Sequence, residues 1–231
     1  MATFSVVATP IGNLEDITLR ALNVLRTADV ILCEDTRMTK RLLDRHEITA
    51  QTMSYHAHST LSRVEEIVAL LRDGKNLALV SDAGTPGISD PGSELVRRIR
   101  EEMKSELEDG SLKIEGVPGP SALTTALSIA GAPCADFVFL GFLPHKKGRE
   151  TLFKEIVESS RTMIFYESPH RILKTLTSLS DHLSSNPKRV VVCRELTKVF
   201  EEVVAGSPQE VLSYFTTHAD KVRGEFVVIV S

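Results

Sequence analysis

Short apolar runs alternate with amphipathic stretches through the first half of this chain, and that alternation restricts the fold more than any other feature. Residues 4–9 are a β-branched run followed by the turn Pro10-Ile11-Gly12-Asn13. Asp16 or Thr18 then stands where it can cap a helix carrying Leu19, Leu22 and Leu25 on one side. Residues 28–33 are a second strand, 37–45 a basic helix and 52–55 a third strand-like run. Leu61, Val64, Ile67, Val68 and Leu71 recur at helical spacing with the charges opposite. Residues 76–80 are the next strand, Asp90 and Pro91 suit the N-cap and first position of the following helix, and 112–117 are a further strand. The order βαβαβαβαβ predicts an α/β fold with a mostly parallel N-terminal sheet and crossover helices.

Pro118-Gly119-Pro120-Ser121-Ala122 breaks the pattern and leads into a helix of small residues, 123–130. Beyond it, 137–142, 162–166, 189–193, 202–205 and 226–230 read as strands with more varied connections, and 199–205 can lie antiparallel to 189–193. A mixed C-terminal sheet follows, with the domain boundary at Pro118: 1–117 is an N-terminal α/β domain and 118–231 a C-terminal mixed α/β domain. At 231 residues the chain can bury a sizeable core. No apolar run is long enough to span a bilayer, and the start at Met1-Ala2-Thr3 lacks the basic region of a signal peptide. Cys33, Cys134 and Cys193 share no metal-ligand spacing and adjoin apolar or small residues, as buried thiols of a cytoplasmic protein would. No metal site is expected.

The segment from Ser81 to Gly92, Ser-Asp-Ala-Gly-Thr-Pro-Gly-Ile-Ser-Asp-Pro-Gly, joins a strand to a helix. Its glycines and prolines set an unusual backbone path with little side-chain bulk, so a ligand can approach the peptide groups closely. The chain lacks both the full dinucleotide fingerprint and a Gly-x-x-x-x-Gly-Lys phosphate loop, which disfavours NAD(P) and P-loop chemistry. Glu34-Asp35-Thr36-Arg37 follows the second strand and reads either as a structural ion pair or as a substrate-positioning group. His56 and His58, two apart after a strand, would face one side as hydrogen-bonded histidines or in proton transfer. The net charge of −4 leaves nucleic-acid contact to local basic patches: Arg37, Lys40 and Arg41 with Arg45, and Lys146, Lys147 and Arg149 with His145. In Phe165-Tyr166-Glu167-Ser168-Pro169-His170-Arg171, Pro169 suits a first helical turn and Ser168 its cap. Arg194-Glu195-Leu196-Thr197-Lys198 is a charged strand exit.

Seven segments stand in a fixed order: Thr9-Pro10-Ile11-Gly12-Asn13-Leu14, Glu34-Asp35-Thr36-Arg37, the 81–92 loop, Pro118-Gly119-Pro120, Gly141-Phe142-Leu143-Pro144, the Phe165 to Arg171 motif and the Arg194 to Lys198 motif. In these the chain resembles the ribosomal RNA small subunit methyltransferase I family, within the tetrapyrrole (precorrin) methylase superfamily. The resemblance implies a two-domain tetrapyrrole-methylase-like fold with an S-adenosyl-L-methionine cleft between the domains. It implies a homodimer that methylates the 2′-hydroxyl of a cytidine in the decoding region of small-subunit rRNA, alone or in the assembled subunit. Other readings are a methyltransferase of tetrapyrroles or other small molecules, and a non-catalytic ribosome-associated binding protein.

By position, the resemblance assigns the cofactor to Pro10, Ser81, Asp82, Ala83, Gly84, Thr85, Pro86, Ser121, Ala122, Phe165, Tyr166 and Gly224. Glu34, Asp35, Arg37 and His56 become catalytic candidates on the RNA side, with Arg37, Lys40, Arg41, Lys146, Lys147 and Arg149 as RNA contacts. Gly87 stands where family members commonly carry leucine, and Ser59-Thr60 replace the usual Asn-Glu. Residues 100–113 are expected to form an acidic surface excursion, and the chain stops at the 225–231 strand without the helical extension many members carry.

Overall fold

In the first half, the strand sequences Val-Ile-Leu-Cys and Leu-Ala-Leu-Val are buried at every position, as strands covered on both faces must be. The computed structural model describes residues 1–56, 59–184 and 188–231, so the expectation for His58 lies outside the described residues. It divides into two units, Met1–Ser121 and Ala122–Ser231.

The first unit holds β1 (Ala2–Val7), β2 (Val30–Cys33), β3 (Gln51–Ser54), β4 (Leu77–Val80) and β5 (Leu112–Val117), all parallel, in the order β3-β2-β4-β1-β5. One face packs against α1 (Leu19–Thr27) and α2 (Thr36–Arg45) through Val7, Ile31, Cys33, Ala78 and Val80 with Leu22, Leu25, Leu42 and Leu43. The alternate residues Phe4, Leu32, Leu77 and Leu79 pack against α3 (Leu61–Arg72) and α4 (Ser93–Glu102). Thr18, rather than Asp16, caps α1: its hydroxyl accepts the Ala21 N–H at 3.1 Å. The sheet is parallel as expected, but α4 departs from its expected start. It begins at Ser93 with Gly92 as N-cap, so Asp90 and Pro91 precede the helix. Residues 100–113 are mostly exposed, as expected of a surface excursion, but they are helical: α5 (Lys104–Glu108) follows α4 directly, and Met103 between them is buried in the core.

In the second unit, α6 (Ala122–Ala130) leads to β6 (Phe137–Phe142), α7 (Arg149–Glu158), β7 (Thr162–Glu167), α8 (Ile172–His182), β8 (Val190–Arg194), β9 (Glu202–Gly206), α9 (Pro208–Thr217) and β10 (Phe226–Val230). The sheet order is β6-β7-β10-β8-β9, with β6 parallel to β7 and the other pairs antiparallel, including the expected β8–β9 pair. Phe153, Ile156, Leu176, Leu179, Val211 and Phe215 of α7, α8 and α9 pack on Met163, Phe165, Val192 and Val228. Ser168 does not cap α8, which begins at Ile172 with Arg171 as N-cap. Cys33 and Cys193 are buried as expected, whereas Cys134 is exposed.

Candidate active site

Parallel strands bring all their carboxyl ends to one edge, and in the first unit that edge gathers the sequence motifs. The neighbours β1 and β4 send their connections to opposite faces, β1 through α1 and β4 through α4. Such a divergence is where open α/β sheets bind ligands. Here the two exits pair once: Thr9 N–H donates to Gly84 O at 2.9 Å and Gly84 N–H to Thr9 O at 3.0 Å. The Thr9 hydroxyl donates to Ser81 O at 3.0 Å, and Thr85 Oγ1 to Pro120 O at 3.4 Å. Gly84 takes φ +81°, which a side chain would strain. The 81–86 turn is thereby tied to the β1 exit by backbone and hydroxyl hydrogen bonds and to the segment after β5 by the Thr85 hydroxyl.

The β2 exit joins the same edge. Asp35 N-caps α2 by accepting the Arg37 N–H at 2.8 Å, while Arg37 Nη2 reaches Asp35 Oδ2 at 2.7 Å. Asp82 Oδ1 accepts the Asp35 N–H at 3.1 Å, linking the β2 and β4 exits. The Arg37 side chain is 88% exposed and lies with exposed Lys40 and Arg41 on α2. Asp35 therefore has a structural duty, and its hydrogen bonds to Arg37 hold its carboxyl at about 2. His56 lies past the end of β3 at Ser54 and is exposed, so strand alternation does not orient it.

Asp90, read from the sequence as a helix cap, is the residue that sequence reasoning missed. Burial first, then the charges of Glu34 and Asp82, push its carboxyl up to about 6. The buried Ser81 hydroxyl is turned toward Asp90 and acts against these two causes. Among the described residues, Glu34, Asp82 and Asp90 have no ion-pair partner, and no group of His, Cys, Asp and Glu is arranged to hold a metal. The signal available in the sequence was the recurrence of Ser-Asp at 81–82 and 89–90, at both ends of one loop.

The second unit uses its charged motif residues differently. The Glu167 side chain is 0% exposed; its Oε1 meets Arg171 Nε at 2.7 Å and accepts the Ser168 N–H at 2.8 Å. Its Oε2 accepts the Thr175 hydroxyl at 2.7 Å and lies 3.8 Å from Arg149 Nη1. Arg149 is 7% exposed and donates to Thr175 Oγ1 at 2.6 Å and Pro144 O at 3.2 Å. This corrects the expectation that Arg149 contacts RNA, because its donors are already engaged in the interior. Lys146 and Lys147 beside it are exposed. Phe165 is likewise corrected: its side chain is fully buried on the helix side of the sheet, whereas Tyr166 points to the other face and packs edge-on against Phe139. Gly224 serves packing, since a Cβ there would come 2.3 Å from the Glu195 carboxylate. That carboxylate accepts from Lys198 Nζ at 2.9 Å and from the Glu225 N–H at 3.1 Å. Ser121 and Ala122 stand at the start of α6.

S-adenosylmethionine combines a sulfonium cation with an amino-acid end, and the first unit's edge fits such a group. Among the described residues, three carboxylates at this edge have no ion-pair partner and complement positive charge, and the buried Ser81 hydroxyl is turned toward one of them, Asp90. A family model described as Tetrapyrrole (Corrin/Porphyrin) Methylases matches residues 3–212. The chain is 42% identical over 231 residues to the ribosomal RNA small subunit methyltransferase I of Thermotoga maritima, covering 100% of this chain and 99% of that protein. To the protein of the same name from Synechocystis sp. it is 44% identical over 232 residues, covering 100% of this chain and 79% of the relative. The crystal structure of the methyltransferase CobJ shares the fold, with a TM-score of 0.68 at 19% identity over 100% of this chain and 94% of that one. The chain belongs to the ribosomal RNA small subunit methyltransferase I family within the tetrapyrrole methylases, and it is an S-adenosylmethionine-dependent methyltransferase.

Proposed function

We propose that this methyltransferase acts on small-subunit rRNA, free or in the assembled subunit, at the ribose 2′-hydroxyl of a cytidine in the decoding region. The full-length likeness to proteins named ribosomal RNA small subunit methyltransferase I carries this reading. When bound, the cofactor supplies a methyl group already activated by positive sulfur. The protein's task is then to hold the ribose oxygen in line and to receive its proton.

In this proposal Pro10, the 81–86 turn and Ser121 hold the cofactor in the first unit, and the resemblance assigns Ala122 and Tyr166 to the same cofactor. Asp35 is a poor proton acceptor, because Arg37 holds its carboxyl at about 2. Asp90, pushed to about 6 by burial and by Glu34 and Asp82, is the better proton acceptor of the two. Arg37, Lys40 and Arg41 form an exposed basic stretch of α2 for RNA phosphates. The reading includes a cytoplasmic homodimer; the resemblance implies the dimer, and exposed Val199, Phe200 and Val203 in and beside the edge strand β9 give it apolar surface.

The test is incubation of small subunits lacking the modification with methyl-labelled S-adenosylmethionine, followed by mapping of the labelled nucleotide. Label on the 2′-oxygen of one decoding-region cytidine is the expected result. Label on a base, or transfer to a tetrapyrrole with none to rRNA, overturns the reading.

A further inference from the structure

We propose that Phe142 is a stacking platform for an unpaired base of the RNA substrate, with Lys146 and Lys147 on the flanking phosphates. The inference rests on the reading that RNA is the substrate, and adds to it a side chain that no basic patch predicts. The β6–β7 register shifts between Phe139 and Phe142, and Gly141 within the shift takes φ +63°. An irregularity of this kind re-aims the side chain that follows it. Phe142 consequently pairs with Tyr166 in the ladder and is 55% exposed. Its ring is braced edge-on by Tyr166 at 5.4 Å and 65°.

The chain after Phe142 is fixed from below. Leu143 is buried in the core, Arg171 Nη1 donates to Leu143 O at 2.7 Å, and Arg149 Nη1 donates to Pro144 O at 3.2 Å. Both guanidiniums are held by the buried Glu167 carboxylate. The buried ions thus anchor an exposed segment whose next side chains, His145, Lys146 and Lys147, are all open to solvent. Among the described residues, neither lysine has an ion-pair partner. Lys146 stands four positions after Phe142, a chain length of at most about 14 Å. An aromatic face followed within that reach by unpaired cations is the combination that binds single-stranded nucleic acid. Phe142 ends a short row of rings with Tyr166 and Phe139, and the exposed lysines that follow it favour a polyanion over a protein or lipid surface. Pre-ordering the ring and its loop lowers the entropy lost on stacking.

The chain contains no tryptophan, so Phe142→Trp introduces a single reporter at the proposed platform. Titration with a single-stranded oligoribonucleotide is expected to change its emission saturably, with a weaker response to the same sequence as a duplex. Lys146→Gln with Lys147→Gln should weaken that binding and flatten its salt dependence. In methylation of small subunits, Phe142→Ala is expected to raise KM roughly five- to a hundred-fold, the range of one base–aromatic stack, without changing S-adenosylmethionine affinity. Phe142→Tyr should recover the loss and Phe142→Leu should not. Unchanged tryptophan emission at saturating RNA, or Phe142→Leu matching wild type, overturns the platform. If wild type transfers no methyl to rRNA while the emission change saturates with single strands, the platform stands and the substrate reading falls.

Discussion

The two units use charged residues in opposite ways. At the carboxyl edge of the first unit, Glu34 and Asp82 add to the burial that raises the Asp90 carboxyl, and among the described residues none of the three has an ion-pair partner. In the second unit the Glu167 carboxylate is surrounded by Arg171, Arg149, Thr175 and the Ser168 N–H. Uncompensated like charges cost stability that a folded chain has no structural reason to accept, so they point to a ligand. A saturated network has nothing left to offer a ligand and acts on function only through the backbone it fixes. The contrast explains why two motifs equally rich in charge have different roles.

The largest effect should come from breaking the saturated side. Glu167→Ala leaves two guanidiniums buried without their carboxylate and should cost about 3–5 kcal/mol in urea or thermal unfolding. A loss below about 1 kcal/mol, the scale of a surface pair, would mean that water reaches the network and that the contrast between the units is wrong.

A smaller effect of the opposite sign belongs to Asp90. Its carboxyl sits at about 6 in the folded chain against an ordinary 3.8, raised by burial and then by Glu34 and Asp82. A raised carboxyl pKa means that its contribution to stability is fully present below the unfolded value and is lost as pH rises through the folded one. Stability should therefore decline between about 4 and 6 on this group's account, and Asp90→Asn should remove that slope. Above it, the variant should be more stable than wild type by about 1 kcal/mol, a figure reduced because water reaches part of the group. Methyl transfer should rise as pH passes through about 6 in wild type and be strongly reduced in the variant. A variant destabilised at pH 8, or one with full activity, would remove Asp90 from the site.

The fold was legible because its signals are local. Val-Ile-Leu-Cys and Leu-Ala-Leu-Val announce buried parallel strands, and the glycines and prolines of the 81–92 loop announce a turn able to meet a ligand. Tyr166 and Phe165 were separable in principle, since a period of two puts Phe165 with Met163 on the helix side. Other features depend on partners distant in sequence. Nothing within His145-Lys146-Lys147-Gly148-Arg149 says that only its arginine finds Glu167 and goes inside. Asp90 followed by proline has the local signature of a helix start, and only the fold sets it against Glu34 from another strand exit.

The smallest stability effect, and the sharpest separation of structure from function, is expected at Arg37. Its guanidinium is 88% exposed and, among the described residues, pairs with Asp35 alone, so Arg37→Ala should leave stability nearly unchanged. Asp35 still caps α2 through the Arg37 backbone N–H, which the substitution retains. If the exposed α2 stretch meets RNA phosphates, the variant should bind small subunits more weakly, and the slope of log K against log salt should shrink by about one. S-adenosylmethionine affinity, measured by calorimetry, should not move. An unchanged salt slope with unchanged subunit affinity would return Arg37 to the surface ion pair it makes with Asp35. It would leave the uncompensated carboxylates as the functional feature of that edge.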